Sequence, residues 1–105
     1  MKRIKRQFAF LTSLFRDARG KQREDLIRHA NSDQINTISE LVLNTLKGRV
    51  SLTPDVIARL KRYKKLLRDL SKRKHSVKHR RSLLLKQKGS GIWQSLRHVC
   101  RCLQQ

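Results

Sequence analysis

The sequence predicts an all-α fold, a small single-domain bundle of four to six short helices. Apolar residues recur at steps of three and four over most of the chain, which is the spacing of one helix face. Helix start and stop signals separate these stretches, with Thr53-Pro54 at a start and Gly20 and Gly48 at stops. The β-branched residues are scattered and no run alternates, so strand signals are weak. A chain of 105 residues, 37% of them hydrophobic, suits one domain with a thin core.

Three helices are predicted before residue 48. The first covers residues 3 to 19 and ends at Gly20, and the second runs from Lys21 to Ala30. Residues 31 to 33 are Asn, Ser and Asp, which are good N-cap types, so the third helix begins there and continues to Lys47. Residues 29 to 46 contain no Lys or Arg, and in so basic a chain this gap predicts that the third helix is the buried centre.

Three more helices are predicted in the second half of the chain. Thr53 and Pro54 start a helix over residues 54 to 72, and Ser76 caps another over 77 to 87. The stretch KGSG, residues 88 to 91, predicts a flexible break before an amphipathic helix that carries Trp93. We therefore divide the chain into a basic helical domain, 1–88, and an amphipathic C-terminal helix in 89–105. That helix has three open roles: to pack on the domain, to bind a partner, or to lie in a membrane interface.

The charge of the chain predicts a polyanionic partner. The 27 Lys and Arg against 7 Asp and Glu give a net charge of +20, and residues 54 to 88 alone hold 14 bases and 2 acids. Nucleic acid is the first candidate, since binding releases its condensed counter-ions. The leucines of this segment keep a helical stripe, so the bases are expected to form the outer face of two packed helices. The predicted phosphate-neutralising residues are Arg59, Lys61, Arg62, Lys64, Lys65, Arg68, Lys72, Arg73, Lys74, Lys78, Arg80 and Arg81.

Few residues in this segment are suited to reading base edges. Gln87 is the one Asn or Gln between residues 54 and 88, and Trp93 lies outside the basic block. Phosphate contacts carry little sequence information, so we expect salt-dependent, sequence-independent binding to double-stranded DNA, and its condensation. Two alternatives stay open: a cationic membrane-active or membrane-surface protein that uses the C-terminal helix, and a nuclear RNA-binding or regulatory protein. The run KRKHSVKHRR also fits a nuclear localisation signal.

No catalytic or metal-binding arrangement is predicted. His98, Cys100 and Cys102 spell H-x-C-x-C, but zinc sites usually need two ligand pairs. The two cysteines are too close in sequence to staple a fold, which favours a reducing compartment. No nucleophile and base stand out, so we expect neither an enzyme nor a cofactor. The basic, apolar N-terminus lacks the small-residue cleavage site of a signal peptide, and no segment is apolar over the ~20 residues of a membrane span.

Residues 40 to 91 resemble a known family of viral proteins. The pattern is a Leu-rich helix ending LNTLKG, then SLTP, the basic helix LKRYKKLLRDL, a second basic segment, and LLLKQKG before an apolar tail. It is similar to small basic proteins of Polinton/Maverick elements and adintoviruses, which look related to adenovirus core protein X, the precursor of the peptide mu. The resemblance implies a virion component that compacts double-stranded DNA, located in the virion core and the host nucleus. Other core or capsid proteins and a viral maturation protease are then the implied partners.

The same resemblance implies a processing site. Adenovirus-type maturation proteases favour a residue such as Leu, Ile, Met or Gln, then any residue, Gly, any residue and Gly. QKGSG, residues 87 to 91, is similar to this pattern, with cleavage after Ser90 and the candidate residues Gly89, Ser90 and Gly91. LKGRV, residues 46 to 50, fits only in part because Val50 stands in place of Gly. The alternative interpretation is that these glycines are a helix stop and a linker.

Overall fold

The computed structural model describes residues 2–87, 89 and 91–103. In these ranges the chain forms eight α-helices and one π-helical segment, with no β-strand, so the predicted all-α class is confirmed. The helices are α1 (Lys2–Arg6), α2 (Phe8–Thr12), α3 (Lys21–His29), α4 (Ser32–Leu46), α5 (Pro54–Lys61), α6 (Lys64–Ser71), α7 (Val77–Leu85) and α8 (Gly91–Cys102). The π-helical segment, Ser13–Asp17, directly follows α2.

The start and stop signals of the sequence correspond to real helix ends. Asn31 and Gln34 form a capping box at the start of α4, each side chain bonded to the backbone of the other at 2.8 and 2.9 Å. The hydroxyl groups of Thr53 and Ser76 accept bonds from backbone N–H groups at the starts of α5 and α7. Gly48, with φ 71°, follows α4 in the left-handed conformation expected of a helix stop.

Two of the predicted helices are interrupted in the structure. The described ranges therefore contain eight α-helices, where four to six were predicted. The predicted helix 3–19 is divided at Gln7, whose side chain bonds to Asp33, and it ends in the π-helical segment. The predicted helix 54–72 is broken at Arg62 and Tyr63, where two successive N–H groups bond to carbonyls three residues back. This break lets α5 pack against α8 while α6 packs against α4.

The core is a single cluster with α4 at its centre. α4 contacts α1, α6 and α7, and it buries Ile35, Ile38, Leu41 and Val42 to within 1% exposure. The expectation of a central third helix therefore holds. Leu46, in the last turn of α4, is 39% exposed.

α8 belongs to this same core. Its apolar face, formed by Ile92, Trp93, Leu96 and Val99, is buried against the π-helical segment and α5. The predicted boundary after residue 88 therefore does not separate two cores. Of the three roles left open for this helix, packing on the domain is the one that the structure shows.

Candidate nucleic-acid interface

Ten of the twelve predicted phosphate-neutralising residues are exposed. They lie on α5, in the break at 62–63, on α6, on the connection from 72 to 76 and at the start of α7. We call this surface the cationic face, and its members are Arg59, Lys61, Arg62, Lys64, Lys65, Arg68, Lys72, Arg73, Lys74 and Lys78.

The apolar stripe of the segment explains why these bases point outward. Leu60, Leu67 and Leu70 are each no more than 6% exposed and hold α5 and α6 on the core. The bases occupy the remaining positions around each helix. The amphipathic spacing therefore determines both that the leucines pack in the core and that the charged side chains are exposed. Ile57 departs from the predicted stripe: it is 43% exposed, and it lies beside Leu46 and Lys61 in a shallow open cavity.

The charge of the cationic face is almost uncompensated by carboxylates. Within the described part of the chain, Lys72 is its one member with a carboxylate oxygen within 4.0 Å, that of Asp69 at 3.9 Å. The amine and guanidinium groups of the other nine members are therefore available to an external anion. Surface pairs such as Lys72 with Asp69 are worth little in any case.

One acidic residue, Asp33, pairs with bases outside the cationic face. Asp33, in the first turn of α4, accepts bonds from Gln7 at 2.7 Å, from Arg6 at 2.9 Å and from Arg3 at 3.2 Å. The hydrogen bonds from Gln7 and Arg6 lower the pKa of the Asp33 carboxyl below its ordinary value. This cluster attaches α1 to α4 and does not involve the cationic face.

Arg80 is buried, which corrects its predicted role. It is 3% exposed, its Nη1 donates to Ser39 Oγ at 2.6 Å, and its Nε donates to the carbonyl of His75 at 3.1 Å. Burial and the nearby Arg73 lower the pKa of Arg80. A guanidinium held in this way joins α7 to α4 and is not presented to phosphate. The spacing Val77, Arg80, Leu84 carries the signal, since it places Arg80 on the apolar stripe of α7.

Arg81 also has a structural partner. Its Nε donates to the carbonyl of Ile27 at 3.2 Å, and its Nη2 donates to the carbonyl of Ala30. These carbonyls lie at the C-terminal end of α3, where a positive charge is favoured, and that of Ile27 also accepts a bond from the N–H of Ala30 at 3.4 Å. Arg81 therefore joins α7 to α3, and its guanidinium is committed to that contact.

Side chains suited to stacking on bases are largely withdrawn from the surface. Phe10, Phe15 and Trp93 are buried, and Tyr63 and Phe8 are half-buried. The indole N–H of Trp93 donates to the carbonyl of Gln87 at 3.1 Å. The cationic face thus offers charge without an aromatic platform, whereas proteins that bind single strands usually combine the two.

The candidate processing segment is described only in part. Gly89 is exposed, and Gly91 begins α8; Ser90, after which cleavage was predicted, lies outside the described residues. Gly91 has a packing reason of its own, because a β-carbon there would overlap the hydroxyl oxygen of Tyr63. Cleavage after Ser90 would therefore cut next to a helix whose apolar face lies in the core.

The Cys and His side chains form no metal-binding cluster in the described ranges. Cys100 and Cys102 are both free thiols, and burial raises the pKa of Cys100. The rings of His75 and His79 lie 4.9 Å apart. In the described ranges no three His, Cys, Asp or Glu side chains come together as a metal site would require, and no helix is long and apolar enough to cross a membrane.

No family model matches the chain, and no curated protein or solved structure matches it either.

Proposed function

We propose that the protein binds double-stranded DNA without regard to sequence and condenses it, and that it is not an enzyme. The observation that carries this proposal is the cationic face, ten exposed bases on contiguous elements with one carboxylate within ion-pair distance in the described ranges. Such a surface attracts a polyanion by release of counter-ions.

The magnitude of the charge suits neutralisation of DNA. The longest dimension of the protein is 33 Å, and a duplex of that length carries about 19 negative charges at one per ~1.7 Å. The net charge of the protein is +20. The total charge of one bound molecule thus roughly balances the stretch of duplex that it covers, so bound segments of DNA repel one another less, while direct contact is made by the ten bases of the cationic face.

Two features support duplex over single-stranded partners and favour indifference to sequence. The Phe, Tyr and Trp side chains are buried or half-buried, so none of these rings among the described residues offers bases an exposed stacking platform. Six of the ten members of the cationic face are Lys, which binds phosphate as a point charge. Neither feature discriminates one base pair from another.

The biological setting follows from the resemblance over residues 40 to 91 to the basic proteins of Polinton/Maverick elements and adintoviruses. On that basis we propose a virion core protein that enters the host nucleus with its DNA. Other core or capsid proteins and a maturation protease are the further proposed partners. The apolar face that the membrane alternative requires is occupied in the core, which favours the DNA proposal.

The test is the salt dependence of binding to two unrelated duplexes of equal length, measured by fluorescence anisotropy. We expect equal affinities and a steep linear fall of log K with log salt. Five substitutions on the cationic face, which convert Arg62, Lys65, Arg68, Arg73 and Lys74 to Gln, should reduce the slope by up to about 4.5, at about 0.9 per phosphate contact.

A matched variant separates the location of charge from its amount. It also carries five changes to Gln, at exposed bases outside residues 54 to 88: Lys2, Lys5, Lys21, Arg28 and Lys47. We expect its slope to fall by about 1 or less, because these bases lie off the proposed interface. Equal losses in both variants would refute the assignment to the cationic face, and a slope near zero in the unsubstituted protein would refute DNA binding by charge.

Condensation and the two alternatives are tested with the same samples. Light scattering from long duplex DNA should rise with the unsubstituted protein and with the matched variant, and not with the cationic-face variant. Preference for a folded RNA over duplex DNA at equal salt would support the RNA-binding alternative. Leakage of anionic vesicles at physiological salt would support the membrane alternative.

A further inference from the structure

A second cluster of positive charge lies away from the cationic face, at a pocket of about 400 Å³. Its walls come from the connection between the π-helical segment and α3, from α3, from Gly89 and from α8, and the charged side chains in it are Arg19, Arg23 and Arg97. No carboxylate is among the described residues that line it. By contrast, an open groove of about 660 Å³ on the same domain is lined by Asp17 and Asp25 and by no Lys or Arg from the described ranges.

Backbone carbonyls hold the three guanidinium groups in place. Arg97 donates to the carbonyls of Phe15 and Arg16 at 3.3 and 3.2 Å. Arg23 donates to the carbonyl of Ala18 at 3.0 Å, and Arg19 donates to those of Arg16 and Ala18 at 2.9 and 3.0 Å. These carbonyls end a helical segment, so they lack helical donors and favour positive charge.

Each arginine keeps donor capacity beyond these bonds. Among the described residues, Nη1 of Arg23, Nη1 of Arg97 and Nη2 of Arg19 have no hydrogen-bond acceptor. The guanidinium of Arg23 also lies over the ring of Trp93, 4.7 Å from its centroid, which fixes its plane. Glu24 lies in the adjoining cavity beside Arg23 and is not part of this wall.

The three guanidinium charges repel one another. Burial first, and then the nearby Arg19 and Arg97, lower the pKa of Arg23. An anion that entered the pocket would relieve this repulsion and accept the unused N–H groups. Because the arginines are already fixed, little side-chain entropy remains to be lost on binding.

We propose that the pocket of Arg19, Arg23 and Arg97 binds a phosphate group. Three guanidinium groups converging on one polar cavity match the several acceptor oxygens and the high charge of phosphate. The group is supplied either by free oligophosphate or by a nucleic-acid backbone. In the second case the pocket is an additional DNA contact on different elements from the cationic face, so one molecule touches two segments of duplex. The proposal itself does not depend on DNA binding by the cationic face.

The test uses the fluorescence of Trp93, the one tryptophan in the chain, during titration with pyrophosphate at constant ionic strength in a chloride buffer. We expect a saturable change in fluorescence, because phosphate bound to Arg23 alters the surroundings of the indole ring beneath it. Gln94→Glu places a carboxylate at an exposed position of the pocket wall without removing any of the arginine bonds. It should weaken pyrophosphate binding about tenfold by competing for the same donors.

Two controls keep the result specific to the pocket. Ser51→Glu makes the same change of net charge at an exposed position outside it and should bind pyrophosphate as the unsubstituted protein does. Arg19→Gln removes one of the three donors and should also weaken binding about tenfold. Absence of a saturable response, or equal affinities for Gln94→Glu and Ser51→Glu, overturns the proposal.

The same titration distinguishes this site from the cationic face. The five-substitution variant of the cationic face should still bind pyrophosphate, so loss of DNA binding there and loss of the pocket are separate results. Duplex DNA is then added to the pyrophosphate complex of that variant at low salt. Displacement of pyrophosphate assigns the phosphate group to a nucleic-acid backbone, and retention assigns it to free oligophosphate; both results support the phosphate site.

Discussion

Replacing Arg80 by methionine should lower the stability of the fold and leave DNA binding unchanged. Methionine keeps most of the apolar stem but cannot donate to Ser39 Oγ or to the carbonyl of His75. Lys78→Met on the same helix is the matched control, because Lys78 is exposed and belongs to the cationic face. The pair distinguishes a structural arginine from a proposed phosphate-binding base two residues away.

The size of the effect follows from what each acceptor loses. Ser39 is 2% exposed, so water cannot replace the 2.6 Å bond from Arg80. The carbonyl of His75 lies nearer the surface and can be hydrated. Hydrogen bonds from charged donors contribute about 1.5–3 kcal/mol each, while removal of the buried guanidinium recovers part of its desolvation cost. We therefore expect Arg80→Met to lower the free energy of unfolding by about 2 kcal/mol.

Urea unfolding followed by circular dichroism measures this difference. An unchanged m-value would show that the stability, and not the unfolded state, has changed. Lys78→Met should alter stability by less than about 0.5 kcal/mol and should reduce the slope of log K against log salt by about 0.9. If Arg80→Met proved as stable as the unsubstituted protein and reduced that slope, Arg80 would be a phosphate contact and the structural argument would be wrong.

Three further changes test other parts of the structure. The hydrogen bonds that lower the pKa of the Asp33 carboxyl stabilise the fold at pH values above its ordinary pKa of 3.8, and this contribution is lost as pH falls through the lower folded-state pKa. Thermal melts below pH 4 should therefore show a loss of stability in the unsubstituted protein that Asp33→Asn does not show. Gly91→Ala should destabilise the fold by about 1 kcal/mol because the new β-carbon overlaps the Tyr63 hydroxyl, and adding Tyr63→Phe should restore most of the stability in urea unfolding. The melting temperature should rise between 10 and 150 mM NaCl, because salt screens the repulsion within a chain of net charge +20. That charge is held in a small volume, since the radius of gyration, 12.4 Å, is no larger than the ~13 Å of an ordinary domain of this size. A melting temperature that stays constant or falls with salt would contradict this argument.

The helices could be predicted from sequence wherever a local signal marks their ends. Asn31, Thr53 and Ser76 each cap a helix in the structure through the side-chain oxygen that the sequence argument used. The interruptions at Gln7 and Tyr63 have no such signal. They depend on distant partners, Asp33 for Gln7 and the close approach of α8 for Tyr63, and a sequence pattern within one helix does not contain those contacts.

The exposure of most of the candidate interface could be predicted for the same reason. The prediction was wrong where tertiary contacts determine which side chains are buried. Exposure of the ten bases follows from the leucine stripe, which local spacing reveals. The spacing of α7 places Arg80 on the apolar stripe, so its burial could have been predicted from the sequence. Its positive charge led instead to its assignment as a phosphate contact. The Arg19, Arg23 and Arg97 cluster joins residues more than 70 positions apart, so it could be found only in the folded chain.

Five arginines serve a purpose in this domain that its lysines do not. Five arginines donate to main-chain carbonyls near helix ends or, in one case, also to a buried serine, and they are Arg19, Arg23, Arg80, Arg81 and Arg97. Within the described ranges the lysines make no comparable contact; the ion pair that a lysine forms there is the one between Lys72 and Asp69, at 3.9 Å. The planar guanidinium can satisfy several carbonyls at once, which an ammonium group cannot do in the same geometry. A count of basic residues therefore overstates the charge that a partner can reach at the cationic face. The same arginines explain how a chain of +20 closes a core with only 7 acids: part of its positive charge is bound by backbone dipoles and not by carboxylates.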